Sequence, residues 1–421
     1  MSKARDHITV FEHASIRAGS GGCLTDAQLK ALQTYFGKGI PYFQLIHRGV
    51  KFNQFVGVIQ VGRTVIEVLP KADKYESDNA KWRKILIGML KAVGSFDIQS
   101  TSSSHLKIKP NTILDLYFEQ FIKEVEYLQN SGLIKKYRKK EGNQTALKGS
   151  LQFNKHIQQN LTHQERFFVR YTNYDVNHTL HSILYKALRL LKRINTRPAL
   201  LSRVGSLLLH FPEMPDIKVS DATFSKLVFN RKTLVYKKAI EIARLLLLHY
   251  HPDLSKGRNN VLALMFDMNN LWEKFVLASL RKNKLEGSTV TDRTSKLFWQ
   301  SSKGKNSKMI PDILMEIGDE RIVLDTKWKS LNGYNPSSSD LRQMYVYHEY
   351  YSAKKVALVY PGPSEESRGG TFYPVKDGPM DKECSVILLP VENDIKEWQR
   401  VIRERLYGWV NPGANSVEGS S

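Results

Sequence analysis

Apolar residues recur along this chain in two rhythms. From residue 8 to 70 they alternate or run in short blocks (ITVFEHASI, PYFQLIHRGVKF, FVGVIQVG, TVIEVLP) punctuated by Gly and Pro, which predicts strands. One helical stretch, TDAQLKALQTYF, interrupts them, and Val61-Gly62-Arg63 predicts a hairpin turn between FVGVIQ and TVIEVLP. Lys81 to Val93 predicts a helix. After a Ser-rich break at 100–104, a second helix from Asn111 to Gln129 gathers Leu114, Tyr117, Phe118, Phe121, Val125 and Leu128 on one stripe. Residues 132–153 predict two strands and a loop. The segments HTLHSILYKALRLLKRI, RPALLSRVGSLLLHF and TLVYKKAIEIARLLLLHY then predict amphipathic helices, each with Arg and Lys opposite its apolar stripe.

The last third returns to a mixed rhythm. FDMNNLWEKFVLASL (266–280) predicts a helix with Phe266, Leu271, Trp272, Phe275, Val276 and Ser279 on one face and Glu273 at its edge. PDILMEIGDERIVLDTKWK (311–329) predicts two strands around a Gly318-Asp319 turn. DLRQMYVYHEYY (340–351) predicts a helix that brings Gln343 and Tyr347 to one face at i and i+4. KKVALVYP, TFYPV and CSVILLPV then predict strands, DIKEWQRVIRERLYGWV a helix, and 411–421 a disordered tail. The expected architecture is α/β (α+β). A β-rich N-terminal domain over 1–160 serves interaction. A helical region plus a mixed sheet flanked by helices fills 161–410, with its core at 261–410.

The hairpin at 311–329 carries the candidate chemistry. If the turn is tight, Asp312 lies opposite the Asp325–Lys327 end, and alternation points Asp325 and Lys327 the same way while Ile322, Leu324 and Thr326 point the other. The expectation is an exposed hairpin end bearing two carboxylates and an ammonium, with apolar residues on the opposite face. Mg²⁺ takes oxygen ligands and keeps several waters, so two carboxylates plus substrate phosphate oxygens suit it. Such a metal lowers the pKa of bound water and offsets charge developing on a phosphodiester. A neighbouring lysine can orient or help deprotonate the attacking water, or stabilise negative charge. An Asp near an Asp-x-Lys also arises by chance on solvated hairpins, so these three residues alone leave that alternative open.

Charge sharpens the picture. With 63 Lys and Arg against 41 Asp and Glu, the net charge of +22 favours polyanions, nucleic acid first. The most apolar run, Ile242 to Leu248, is broken by Arg244 and is far too short to span a bilayer, and no signal core follows the N-terminus. Two cysteines, Cys23 and Cys384, point to a reducing compartment and exclude a cysteine-rich zinc module; a cytoplasmic location is expected. No phosphate-binding Gly-x-x-x-x-Gly-Lys-Ser/Thr or His-Glu-x-x-His occurs, Gly19-Ser20-Gly21-Gly22 reads as a turn, and His249 and His251 read as helix-end residues. Any nucleotide-driven step needs a partner. The run Lys135, Lys136, Arg138, Lys139, Lys140 is a solvated strand edge at the least, and otherwise a contact for DNA phosphates or an acidic partner.

The order of these elements (helix with Glu273, hairpin with Asp312 and Asp325-x-Lys327, helix with Gln343-x-x-x-Tyr347) resembles the PD-(D/E)xK, restriction-endonuclease-like nuclease core that carries a Gln-x-x-x-Tyr helix. With VGVIQVGRTVIEVLPKAD (56–73), LKGSLQFNKHIQQN (147–160), YKKAIEIARLLL (236–247) and FDMNNLWEKFV (266–276), the whole chain resembles the McrC family, the nuclease subunits of McrBC-type modification-dependent (5-methylcytosine) restriction systems. The resemblance implies a metal-dependent DNA endonuclease using Mg²⁺, with Mn²⁺ as the alternative. Asp312, Asp325 and Glu273 would serve the metal, with the Thr326 carbonyl a further candidate ligand. Lys327 would serve the attacking water, and Gln343 and Tyr347 would hold the site or the DNA backbone. It also implies docking through the N-terminal half onto a McrB-like AAA+ ring that uses GTP, stimulation of that hydrolysis, double-stranded methylated DNA as substrate, and room for a homodimer of nuclease domains. Two other readings stay open: a regulatory adaptor of the ring with a vestigial nuclease, and a self-sufficient nuclease of the same fold.

Overall fold

A computed structural model describes residues 7–19, 22–72, 78–94, 113–163, 165–251, 260–282, 284–329, 331, 335–362, 367–374 and 381–411. The Ser-rich break at 100–104 and the expected tail lie outside them. The chain is mixed α/β and forms two compact units, the first from 1–59, 64–107 and 265–421, the second from 60–63 and 108–264. The division does not follow the boundary expected near 160, because the N-terminal segment shares its unit with the last third of the chain.

The chain begins with β1 (His7–Phe11), β2 (Ser15–Arg17), α1 (Asp26–Phe36), β3 (Phe43–Ile46), β4 (Gly49–Phe52), β5 (Phe55–Val61), β6 (Thr64–Leu69) and α2 (Asn79–Ala92). The hairpin turn expected at Val61-Gly62-Arg63 joins β5 to β6, with Gly62 at φ +61. β1 lies parallel to β6, and β2, β4 and β3 form a small antiparallel sheet. Helix α1 starts at a capping box in which Thr25 accepts from the Gln28 amide and Gln28 answers at the Thr25 amide. Helix α2 buries Trp82, Ile85, Leu86, Met89 and Leu90.

The second unit holds α3 (Ile113–Asn130), β7 (Lys136–Gln144), β8 (Ser150–Leu151), α4 (Phe153–Asn160), β9 (Phe167–Asp175), α5 (Thr179–Ile194), α6 (Pro198–His210), α7 (Asp221–Ser225), α8 (Lys237–Leu248) and β10 (Tyr250–His251). The predicted apolar stripes become its core, as α3, α5, α6 and α8 pack together. His249 caps α8, as its position before Pro252 suggested. His181, fully buried, has Nε2 3.1 Å from the Tyr236 hydroxyl and Nδ1 2.5 Å from the Val176 carbonyl, so it is a satisfied core histidine.

Next come β11 (Val261–Asp267) and α9 (Met268–Arg281). Phe266, expected on the helix face, instead lies in β11, because Asp267 accepts from the Asn270 amide and caps the helix there. Then follow β12 (Ser288–Asp292), β13 (Lys296–Trp299), β14 (Ser307–Met309), β15 (Ile313–Ile317), β16 (Glu320–Thr326), α10 (Ser338–Tyr351), β17 (Lys355–Gly362), β18 (Ser367–Thr371), β19 (Glu383–Pro390) and α11 (Ile395–Val410). A six-stranded mixed sheet runs β12-β15-β16-β17-β19-β18, with β17 parallel to both β16 and β19 and the other pairs antiparallel.

Helix α10 covers one face, packing Met344, Tyr347 and Tyr351 on Leu314, Val323, Val356 and Leu358. Helix α9 reaches β16 by the other face, where Trp272, Phe275 and Trp398 of α11 stack within 4.8–6.2 Å. With helices on both sides, Ile313–Met315 and Ile322–Thr326 are buried throughout. The hairpin is therefore not one-sided, and Asp325 at its end is buried rather than open to solvent as expected. Helix α2 packs on α9 and α11, so closely that a Cβ on Gly88 would stand 2.1 Å from Ile395 Cγ1.

Candidate active site

The hairpin forms in the expected register. Gly318 takes φ +57 in the turn, a conformation side chains resist, and Ile313 pairs with Leu324, which sets Asp312 across from Asp325. Asp312 Oδ2 accepts from the Thr326 amide at 2.7 Å and its hydroxyl at 2.9 Å, so it is locked to the end of β16. Asp325 is 2% exposed. Its Oδ2 lies 2.7 Å from Lys327 Nζ and its Oδ1 accepts from Gln343 Nε2 at 3.2 Å. Gln343 also donates to the Tyr347 hydroxyl at 2.8 Å, which donates to the Ile310 carbonyl at 3.0 Å. Gln343 and Tyr347 thus hold the two strands' ends from α10, as their spacing on one helix face allowed.

Burial and the facing Asp312 push the Asp325 carboxyl up to about 6. Burial acts against the Lys327 ammonium, but the Asp325, Asp312 and Asp340 carboxylates outweigh it and hold its pKa above the ordinary value. Lys327 is therefore a cation at neutral pH. Burial, then Asp312, raises the Glu273 carboxyl, against the pull of Arg293, whose Nε is 3.7 Å away. Tyr347 is raised by burial and stays a phenol.

Glu273, Asp312, Thr326 and Lys327 line one cleft of about 600 Å³ with Asp267, Asn269, Asn270 and Lys274. Asp325, buried, is not among the lining residues. Among the described residues, no three His, Cys, Asp or Glu side chains come close enough to hold a metal together. Of the three expected ligands, Asp312 and Asp325 face each other while Glu273 stands on the cleft wall beside Arg293. The two facing carboxylates fit a hard divalent cation: one is desolvated with its charge disfavoured, and a cation between them would relieve both burial and repulsion.

Four supports escaped the sequence. Asn269 Oδ1 accepts from the Trp328 amide at 3.1 Å and fixes the strand just beyond Lys327. Trp328 Nε1 donates to Glu12 Oε1 at 2.8 Å, and the same oxygen accepts from the Lys71 amide at 2.9 Å. Asp340 pairs with Lys329 at 2.7 Å. Arg293 sits at φ +51 opposite Glu273. Asp267, which caps α9 and lines the same cleft, carried a readable signal, an Asp immediately before a helical pattern.

The cation run lies in the second unit, along β7. Arg138 and Lys140 reach Asp175 at 3.8 and 3.0 Å, and Lys135 stands 5.9 Å from the Tyr174 ring centre. Lys136 and Lys139 are exposed. No helix among the described residues is long and apolar enough to cross a membrane.

Residues 50–361 match the family described as McrBC 5-methylcytosine restriction system component. The fold is similar to that in a refined half-complex from a tetradecameric assembly of Thermococcus gammatolerans McrB AAA+ hexamers with bound McrC. There the TM-score is 0.74 at 20% identity, covering 96% of this chain and 100% of that one, and the chain matches the McrC half. A cryo-EM structure of the Thermococcus gammatolerans McrBC complex aligns with TM-score 0.50 and 20% identity over 66% of this chain and 88% of that one. No curated protein matches the sequence.

Proposed function

The chain belongs to the McrBC 5-methylcytosine restriction family, and from that premise we propose that it is the subunit that cuts DNA, through the Asp312–Asp325–Lys327 constellation, working with a McrB-like AAA+ partner. The observation that carries the reading is the buried Asp325 held between Lys327 and Gln343 and set across from Asp312, which with Lys327 lines a cleft rich in polar side chains. A sheet does not bury an aspartate across from a second carboxylate without a compensating role, because desolvating the ion costs several kcal/mol.

Asp312 and Asp325 would hold Mg²⁺ or Mn²⁺, with Glu273 approaching from α9 and the Thr326 carbonyl adjoining. When bound, the metal supplies Lewis-acid polarisation of the phosphodiester and a more acidic water. The chain's own residues do the rest. Lys327, held as a cation, donates to the attacking water or to oxygens on which negative charge builds; an ammonium so paired is a poor base. Gln343 fixes the Asp325 carboxylate through Oδ1, and Tyr347 fixes Gln343. Thr326 fixes Asp312. The partner would supply GTP hydrolysis, stimulated by this chain, and recognition of methylated duplex DNA.

The test is cleavage of methylated duplex DNA by the chain with its AAA+ partner, GTP and Mg²⁺. Asp312→Asn and Asp325→Asn should abolish cutting while GTP turnover stays at the wild-type stimulated rate. Cutting by either variant at the wild-type rate would refute the assignment, and a wild-type chain that stimulates GTP turnover but never cuts would be an adaptor.

A further inference from the structure

Between Arg293 and Ile310 the chain leaves the large sheet and forms a two-stranded ribbon of its own from β13 and β14. This stretch holds Arg293, Lys296, Lys303, Lys305 and Lys308 and no acidic residue. It also exposes apolar surface that a free protein gains nothing by showing to water: Leu297 is 64% exposed, Phe298 48% and Trp299 59%. Lys303, Lys305 and Lys308 are exposed and have no carboxylate partner among the described residues.

The root of the ribbon is fastened to the catalytic helix. The Tyr351 hydroxyl lies 2.6 Å from the Thr294 carbonyl and 3.0 Å from the Met309 carbonyl, sharing its proton across the two strands' bases. Tyr347 donates to the Ile310 carbonyl while accepting from Gln343, the residue that holds Asp325. Lys296 Nζ reaches the Tyr350 carbonyl at 2.5 Å. The base is therefore rigid with respect to Asp312, two residues beyond Ile310, whereas the tip carries cations, and Trp299 stays exposed beside Phe298, whose ring rests edge-on 5.4 Å from Tyr350 with about half its surface open.

We propose that this ribbon grips the DNA duplex beside the scissile phosphate, with Lys303, Lys305 and Lys308 on backbone phosphates and Trp299 and Phe298 against sugars and base edges. The inference rests on the nuclease reading and adds where the substrate is held. Charge of a single sign over the whole ribbon fits a polyanion and disfavours pairing with a second copy. Exposed aromatic side chains among the cations suit the apolar faces of sugars and bases.

The experiment measures binding of the full-length chain to duplex DNA by fluorescence anisotropy across a salt series, with metal chelated so that cutting plays no part. Each phosphate contact contributes about 0.9 to the slope of log affinity against log salt, so Lys303→Gln/Lys305→Gln/Lys308→Gln should lower that slope by roughly 2.7. Trp299→Ala should weaken binding about tenfold with the slope unchanged, the loss expected when one large apolar side chain no longer leaves water on binding. Association with the AAA+ partner and stimulation of its GTP turnover should match wild type in both variants. An unchanged slope in the triple variant overturns the proposal. Lost partner association with an unchanged DNA slope also overturns it, and makes the ribbon a protein-docking surface. Wild-type chain that binds DNA through the ribbon but never cuts would uphold the grip and remove the nuclease reading.

Discussion

Lys327 Nζ stands 2.7 Å from Asp325 Oδ2, and the pair is buried on the carboxylate side and only partly open on the ammonium side. Removing one partner leaves the other charge uncompensated in a sheet interior. Lys327→Met is expected to slow cleavage about a hundredfold and also to lower stability by roughly 1–3 kcal/mol, the range for leaving a buried group without its partner. Adding Asp325→Asn should restore most of the stability and none of the cutting. Thermal melts of the two single variants and the double variant, beside cleavage rates, separate the two effects. A single Lys327→Met variant with wild-type melting would show that the ion pair is not worth what its burial implies.

Tyr347 joins the Gln343 amide to the Ile310 carbonyl. Tyr347→Phe keeps the ring in the core and removes both bonds, so stability should fall by about 1–2 kcal/mol. Cleavage should fall further than stability predicts, because Gln343 loses its anchor and Asp325 its fixed orientation. Gln343→Ala in the same assay should reproduce the activity loss with less effect on melting. Equal activity in Tyr347→Phe and wild type would remove Tyr347 from the site.

Burial pushes the Glu12 carboxyl up to about 7, against the Lys71 amide and Trp328 indole that favour its ionised form. A carboxyl whose folded pKa exceeds its unfolded one binds more protons when folded, so stability is lost as pH rises from about 4.5 to 7. Glu12→Gln keeps an acceptor for Trp328 and Lys71 and removes the charge. It should melt at a higher temperature than wild type at pH 8, by on the order of 3 kcal/mol at most, with the gain gone at pH 4. A pH-independent difference between the two proteins would contradict this account of Glu12.

Gly88→Ala places a methyl group 2.1 Å from Ile395 Cγ1, a branch carbon that cannot swing away freely. A cost of about 1–3 kcal/mol is expected from the forced separation of α2 and α11. Combining it with Ile395→Ala should recover part of the loss. Chemical denaturation of the three variants provides the measurement, and an Ala variant as stable as wild type would show that the helices yield without cost.

The hairpin, its turn and the helices α9 and α10 were legible because each is encoded locally: Gly318 marks the turn, alternation marks the strands, and the i, i+4 spacing brings Gln343 to Tyr347. Trp328 was readable by parity with Leu324, and it is buried 5.5 Å from Trp272. The burial of Asp325 was not legible. It arises because β17 pairs with β16 from across a helix and α10 closes the face above, facts of long-range pairing rather than of the strand's own residues. β11 and the β13–β14 ribbon were also missed. The first is an apolar run merged with the helix after it, and the second is a polar, lysine-rich stretch without the alternation that marks a half-buried strand. The boundary near 160 failed to appear for the same reason as Asp325's burial: α2 looks self-contained in sequence, but its apolar face is completed by α9 and α11.

Trp328 and Glu12 are 316 positions apart in the chain, and the hydrogen bond between them fastens the segment just after β16, next to Lys327. A ribosome therefore releases the first residues of this chain long before the residues they hold exist. The partly made protein has Glu12 without its indole, α2 without α9 and α11, and no carboxylate pair at all until β16 emerges. Contacts so distant in sequence form late and slowly. Asp312 and Asp325 thus meet only once β16 has been made, long after the N-terminal residues that hold the segment beside them.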